Sequence, residues 1–336
     1  MTSQTPKVGS MKPPGIRGVA VLTLLAGSLA GCSASGDDEG ESAPEDSAPS
    51  AEKIEIQPDT FYYLATDPDD EKKVNALSFN EGGEPRLLFA GDTDLGHSGN
   101  VSLDGRFISW VDTSRRSGDG RLRVWSVEEG AELEVEQPDR VDGQCQEPVW
   151  TGDGRLLVHT VADGEDTGAY LLNVETGEIA EEDVHTDCHT RIAPDSQDGS
   201  SYALLSGDLK SLKIYDGGSK IGEMSADLGD RVVVDIVSAA TGPGSACVDT
   251  VAKGEPVGDV ARSLYCDTII DVPSGEIWDV DEDAVASAMW TENGDTLARL
   301  KTDDGYQLAP SMIDDPDKTI AEHESLTEAD LIGYVP

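Results

Sequence analysis

The sequence predicts an all-β fold, a β-propeller of four-stranded antiparallel blades, and three observations carry that prediction. The first is a recurring phrase. Glu147 to Val158 reads as a short apolar strand, an Asp-Gly corner and a second apolar strand; the phrase returns at Asn100 to Trp110 and Ala288 to Ala298, and more loosely at Arg191 to Tyr202. Glycine turns such a corner because it takes φ > 0 without a Cβ clash, and Asp tolerates that region better than most residues. The second observation is spacing. The corner glycines Gly105, Gly154, Gly199 and Gly294 recur at roughly 40–50 residues or twice that, with Gly242-Pro243-Gly244 in the long gap, which is the period of a propeller blade. The third is a second set of Gly-bearing turns between the corners: Asn80 to Gly83, Glu128 to Gly130, Glu175 to Gly177, Asp216 to Gly218 and Pro273 to Gly275. A unit thus runs strand a, corner, strand b, variable loop, strand c, second corner, strand d.

In chain order, residues 1–31 form a leader. Lys7, Lys12 and Arg17 precede Val19 to Ala30, an apolar run of 12 residues, too short to span a bilayer. It ends Leu29-Ala30-Gly31-Cys32, which resembles the lipobox of bacterial lipoproteins. That resemblance implies a diacylglyceryl lipid on Cys32 and removal of what precedes it. No adjacent arginine pair is present, so the general secretory route is expected. Residues 32–52 are Ser, Gly, Ala, Pro, Asp and Glu after the Cys, without a large apolar residue, and read as a solvated tether reaching roughly 25 Å.

The propeller domain is expected over 53–336, with blades near 54–96, 98–137, 145–183, 190–226, 231–280 and 284–325. Six is the count; the irregular first and fifth units leave five or seven open. Strands such as Leu156-Leu157-Val158 and Val232-Val233-Val234 are apolar on both faces, as blades packed between two neighbours require. Trp110, Trp150 and Trp290 read as inter-blade core. The ring must close without an open edge, and Asp330 to Val335 is the candidate to pair into the first blade, with Ile54-Glu55-Ile56 as the competitor.

Glu147 to Val158 is similar to the Pro-x-Trp-Ser-Pro-Asp-Gly phrase of TolB-like and WD40-like six-bladed propellers. The resemblance implies the fold and a surface for partners. TolB carries an α/β domain before its propeller, for which this chain leaves no room, so the TolB partner set is not carried over.

Composition excludes one class outright. With 24 basic against 67 acidic residues the net charge is −43, and loss of the leader makes it more negative. Nucleic-acid binding needs a cationic surface and is excluded. Beside Cys32, four cysteines allow three pairings. Cys247 and Cys266 lie symmetrically about the turn-like Gly254 to Asp259 and are expected to bond across one hairpin. Cys145 and Cys188 precede successive phrases at the same rim and form the second pair. His185 and His189 with Cys188 could in principle hold zinc or copper, but no second group at ligand spacing supports this, and oxidised Cys188 with two loop histidines is preferred. Asp67-Pro-Asp69-Asp70, Asp92-Thr-Asp94 and Asp281-Glu-Asp283 are calcium candidates that lack the Gly and distal Glu of an EF-hand.

Signatures of a serine hydrolase, a zincin or a phosphate-binding loop are absent. The reading is a monomeric, lipid-anchored module on the outer face of the cytoplasmic membrane, without catalysis, binding an envelope protein or small ligand. The alternative is a propeller enzyme of glycosidase, lyase or lactonase type on an envelope carbohydrate, which would gather carboxylates or histidines in the central channel. Binding is expected on the rim of b–c loops and d–a links, through Asp67, Asp69, Asp70, Asp92, Asp94, Asp163, Asp166, Asp281, Asp283, Asp303 and Asp304. Such a rim would favour a basic protein segment or divalent cations.

Overall fold

The computed structural model describes residues 53–113, 119–137, 141–142, 148–161, 167–182, 189–196, 198–240, 242, 244–255, 263–281, 283–291, 295–310 and 318–336. The chain divides between Pro49 and Ser50, and the described residues all belong to the second unit. Cys32, Cys145, Cys188, Asp163, Asp166 and His185 lie outside them.

The first blade contains β1 (Thr60–Thr66), β2 (Lys73–Asn80) and β3 (Arg86–Asp92), followed by the short helix α1 (Thr93–Ser98). The second contains β4 (Asn100–Val101), β5 (Phe107–Asp112), β6 (Asp119–Ser126) and β7 (Ala131–Glu132). After a link strand, β8 (Val141–Asp142), the third contains β9 (Val149–Trp150), β10 (Arg155–Val161), β11 (Thr167–Asn173) and β12 (Ile179–Glu182). The fourth contains β13 (Thr190–Ile192), β14 (Tyr202–Leu205), β15 (Ser211–Asp216) and β16 (Ser219–Ser225). The fifth contains β17 (Arg231–Ala240), β18 (Ser245–Ala252), β19 (Thr268–Asp271) and β20 (Glu276–Asp279). The sixth contains β21 (Val285–Trp290), β22 (Thr296–Thr302), β23 (Gly305–Ala309) and β24 (Ile320–Ala321), and β25 (Asp330–Val335) ends the chain. All pairings are antiparallel between sequence neighbours, with two exceptions. The strand β25 pairs with β1, Thr60 opposite Val335 and Leu64 opposite Asp330, and supplies strand a of the first blade. The link strand β8 bonds to both β6 and β10, so the second and third blades share one sheet.

The described residues therefore form six blades, and the closing segment is Asp330 to Val335. Ile54 to Ile56 forms no strand; its Ile54 amide donates to Glu128 O at the c–d corner of the second blade. The link strand β8 was not foreseen from sequence. It forms because Val141 is buried in the seam between the second and third blades.

Strand alternation builds the ring. Every residue of β5 is buried. Its Ile108 and Trp110 enter the apolar seam with the first blade, while Phe107 and Val111 enter the seam with the third. In β1, Phe61 and Tyr63 face the sixth blade, and Tyr62 and Leu64 face the second. Among the described residues six such seams occur, including the one between sixth and first blades, so the ring is closed. Each large side chain in a seam contributes roughly 1.5–3 kcal/mol of burial. Trp110, Trp150 and Trp290 are all buried in these seams.

The repeated phrase has a local chemistry. In the corner of the second blade, Ser102 Oγ accepts from the Phe107 amide at 3.0 Å and donates to Asp104 at 2.7 Å, while Arg106 Nε donates to the same carboxylate at 2.6 Å. Thr151, Asp153 and Arg155 repeat this arrangement one blade later. Gly105 and Gly154 take φ of 71° and 79° to make the turn. The corner thus needs a hydroxyl, an Asp, a Gly and, best, an Arg, which is the phrase as written.

Closure rests on Arg299. This strand-b residue of the sixth blade donates to Glu322 at 2.6 and 3.2 Å, to Ala329 O at 2.8 Å and to Leu326 O at 2.7 Å. Its guanidinium lies 4.0 Å from the Tyr306 ring centre, and Tyr63 donates to the other Glu322 oxygen at 2.7 Å. Arg299 thereby fixes the segment from which β25 departs. Removing one partner of a buried ion pair costs about 3–5 kcal/mol. Arg299→Ala is accordingly expected to destabilise the domain by about that amount, and Arg299→Lys to recover little, because an ammonium cannot serve these acceptors in one plane. Urea unfolding checks both; a variant within experimental error of wild type would remove Arg299 from this role.

Candidate functional site

The six a strands surround a central cavity of about 110 Å³. Its described lining is mainly apolar, with Val101, Trp150, Ile192, Met289 and Ile332 among the contributors, and includes neither carboxylate nor imidazole. Leu264, from the segment before β19, also reaches this lining.

A larger cleft, of about 570 Å³, lies on the rim of b–c loops and d–a links. Three walls form it. The fifth blade contributes Asp249 and Thr250 of β18 and the segment Leu264 to Asp267; the sixth contributes Ser287, Arg299, Lys301 and Tyr306; the closing segment contributes Glu328 and Asp330. Asp267 receives the Thr250 amide at 3.1 Å and its hydroxyl at 2.6 Å on Oδ2. Its Oδ1 is shielded from solvent and has no partner among the described residues, and the same holds for Ser287 Oγ.

Asp249 stands opposite Asp235 in the β17–β18 ladder. Like charges so placed repel. Burial opposes ionisation of Asp235, but Arg191, a bond from His189 and the Ser263 amide outweigh it and hold its carboxyl below the ordinary value. Arg191 approaches to 3.3 Å, His189 Nδ1 to 3.5 Å and the Ser263 amide to 2.9 Å. Among the described residues no cation does this for Asp249; burial first, then the charges of Asp267 and Asp235, outweigh a bond from Ser263 and push its carboxyl up.

The two described cysteines, Cys247 and Cys266, form a disulfide with Cα atoms 5.4 Å apart. The route differs from a symmetric hairpin, because the ladder pairs Cys247 with Ile269, and Cys266 precedes β19. The Asp267 amide bonds Val248 O and its carboxylate bonds Thr250, so the chain crosses β18 before joining the ladder. His189 is a partner of buried Asp235.

The loop aspartates sit on the rim of b–c loops and d–a links: Asp67, Asp69 and Asp70 between β1 and β2, Asp92 at the end of β3 and Asp94 in α1 after it, Asp281 and Asp283 between β20 and β21, Asp303 and Asp304 between β22 and β23. Several are occupied with their own turns. Asp67 accepts the amides of Asp69 and Asp70, Asp92 caps α1 through the Asp94 amide, and Asp281 accepts the Asp283 amide. Asp94 holds Thr113 by amide and hydroxyl. Asp92, Asp94 and Asp112 come close enough to surround an ion, but Asp112 already receives Arg123 at 3.1 Å. The opposite rim is acidic too, through Asp104, Asp153, Glu175 and Asp198, so total charge does not distinguish the faces.

The sequence reading missed Asp249, Asp267, Ser287, Glu328 and Asp330, which carry no motif. Arg299, Asp235 and Arg191 did leave a signal: each is a charge embedded in an apolar strand, which only a buried partner explains.

A carboxyl raised above its ordinary value stabilises the fold at low pH and costs stability once ionised. Asp249→Asn is therefore expected to raise the urea midpoint at pH 7, and the gain is expected to vanish as pH falls below 3.8, the ordinary value. A lower midpoint at pH 7 would contradict this account.

No protein-family model matches the chain, and no curated protein matches it. Among solved structures, TolB from Acinetobacter baumannii aligns with 74% of this chain and 60% of its own, at 14% identity and a TM-score of 0.48. The β-propeller domain of the Trilobed protease from Pyrococcus furiosus aligns over 74% of this chain and 82% of its own, at 13% identity and a TM-score of 0.37. A prolyl endopeptidase aligns over 80% of this chain and 42% of its own, at 16% identity and a TM-score of 0.37. This chain thus spans less than two thirds of the TolB chain. With every TM-score below 0.5 the likeness carries no residue role across; the propeller fold rests on the sheets and seams described above, and the chain has distant structural similarity to TolB-like and other propeller domains.

Proposed function

We propose that this protein is a lipid-anchored binding module of the bacterial cell envelope, without catalysis. A diacylglyceryl group on Cys32 holds it at the outer face of the cytoplasmic membrane, and as a monomer it captures an envelope protein or small ligand on its loop rim. One observation carries the reading. The described domain begins and ends at the corner rim, with Ile54 bonded to Glu128 O and Val335 beside Gly105, whereas the 570 Å³ cleft opens on the loop rim. The loop rim is thus clear of both described ends of the domain and open to a partner. The lining of the central cavity, mainly apolar with Arg191 as its charged member among the described residues, agrees with a filled core better than with a reaction chamber.

A second reading, a hydrolase of envelope glycans, rests on the proximity of Asp249, held toward its protonated form, to the carboxylate of Asp267. Turnover of an envelope glycan that disappears in Asp249→Asn would favour it.

Two experiments test the first reading. A photoreactive phenylalanine analogue at Tyr265, on the loop rim and 65% exposed, is expected to give a defined adduct in the native envelope, and the same group at exposed Thr176, on a c–d corner, to give little. Equal capture from both positions would remove the support for a working rim. Cys32→Ala is expected to release the protein from membranes or stall it as precursor. Wild-type protein that enters the aqueous phase of a detergent extraction with unmodified Cys32 would overturn the anchor.

A further inference from the structure

Resting on the loop-rim reading, we propose that the cleft between the fifth blade, the sixth blade and the closing segment binds a lysine side chain from a basic segment of a partner protein. Three features point to an ammonium. The cleft is large enough to admit a side chain with its backbone. Its walls carry four carboxylates, Asp249, Asp267, Glu328 and Asp330, against two cations, Lys301 and Arg299, of which Arg299 is bound by Glu322 and backbone carbonyls. Two acceptor atoms there, Asp267 Oδ1 and Ser287 Oγ, are withdrawn from water and unpartnered among the described residues, and Ser287 is only 8% exposed.

A buried acceptor without a donor costs roughly 1–3 kcal/mol, a deficit that an arriving donor removes. A primary ammonium brings three donors and one positive charge, which matches a carboxylate oxygen, a hydroxyl and a surrounding anionic field. Tyr265, 65% exposed at the lip, offers a ring face for the aliphatic stem or a neighbouring cation. A chloride or phosphate ligand would meet four carboxylates, and an apolar ligand would leave both acceptors unpaired.

The test titrates a fluorescein-labelled tetralysine peptide into the full chain and follows polarisation. Asp267→Asn keeps an oxygen for Thr250 and turns the bare acceptor into a donor, so the fold is retained while an ammonium is refused. The expected result is at least about tenfold weaker binding for Asp267→Asn and a several-fold loss for Ser287→Ala. Surface Tyr265→Ala should also weaken binding without risk to the fold. The pair Glu71→Gln and Asp230→Asn, exposed on the same rim outside the cleft, should change affinity less than about twofold, and the Nε-acetylated peptide should not bind. Equal losses from the cleft and from the Glu71/Asp230 pair would reduce the effect to diffuse acidity and overturn the proposal. So would undiminished binding of the acetylated peptide, or Asp267-dependent binding of calcium alone without the peptide. Such a failure would leave the cross-linking contrast between the two rims intact, whereas loss of that contrast would defeat the loop-rim reading itself.

Discussion

The buried pair of Arg299 and Glu322 is the interaction on which this ring depends. A propeller has no internal end to its packing: each blade is stable only between two others, and the first blade lacks its strand a until the C-terminal residues arrive. Arg299 holds the carbonyls of Leu326 and Ala329 directly and positions Glu322, which in turn receives Tyr63 from the first blade. One guanidinium thus joins the sixth blade, the closing segment and the first blade. The strand β25 then seals the edge, and its Gly333 passes so near Val101 that a Cβ there would run into the valine side chain. Stacking of Tyr334 on Phe61, centroids 4.7 Å apart, completes the seam.

The remaining blades follow a division of labour along each strand. Alternate residues enter opposite seams, so a strand between two blades has no face left for polar residues. This explains why a charge inside such a strand comes with a dedicated partner: Arg299 with Glu322, Asp235 with Arg191. Asp235 and Arg191 join the fifth blade to the fourth, while Arg299 and Glu322 tie the sixth blade to its exit and, through Tyr63, to the first; such pairs specify packing more than they add stability. The disulfide between Cys247 and Cys266 acts within one blade, holding the segment that sends Leu264 into the central cavity and lines one wall of the cleft.

Abundant acid serves two ends here. Most loop and corner aspartates accept amides of their own turns, a structural use that replaces a longer loop with a single carboxylate. The cleft carboxylates differ in coming from three separate elements. Asp249 and Asp267 retain negative potential at a place where water is partly excluded, and electrostatic recognition is strongest there. A face that is acidic by composition becomes selective only where geometry withdraws its charge from the solvent.

The corner phrase, its period, the second set of glycine turns, the closing segment and the pairing of Cys247 with Cys266 were all legible in the sequence. Each is a local pattern, or a repeat of one, and backbone chemistry at a corner reads directly as Asp-Gly-Arg. The detour of Ser263 to Asp267 before β19 was not legible, since a turn can be located by symmetry while its register is set by what Asp267 bonds. Nor was the link strand β8, whose pairing depends on two blades being adjacent. The cleft is the clearest case: Asp249, Asp267, Ser287, Arg299, Glu328 and Asp330 share no motif and no spacing. They meet because the sixth blade packs on the fifth and the chain then returns across both to close the ring, and that return is a property of the tertiary fold alone.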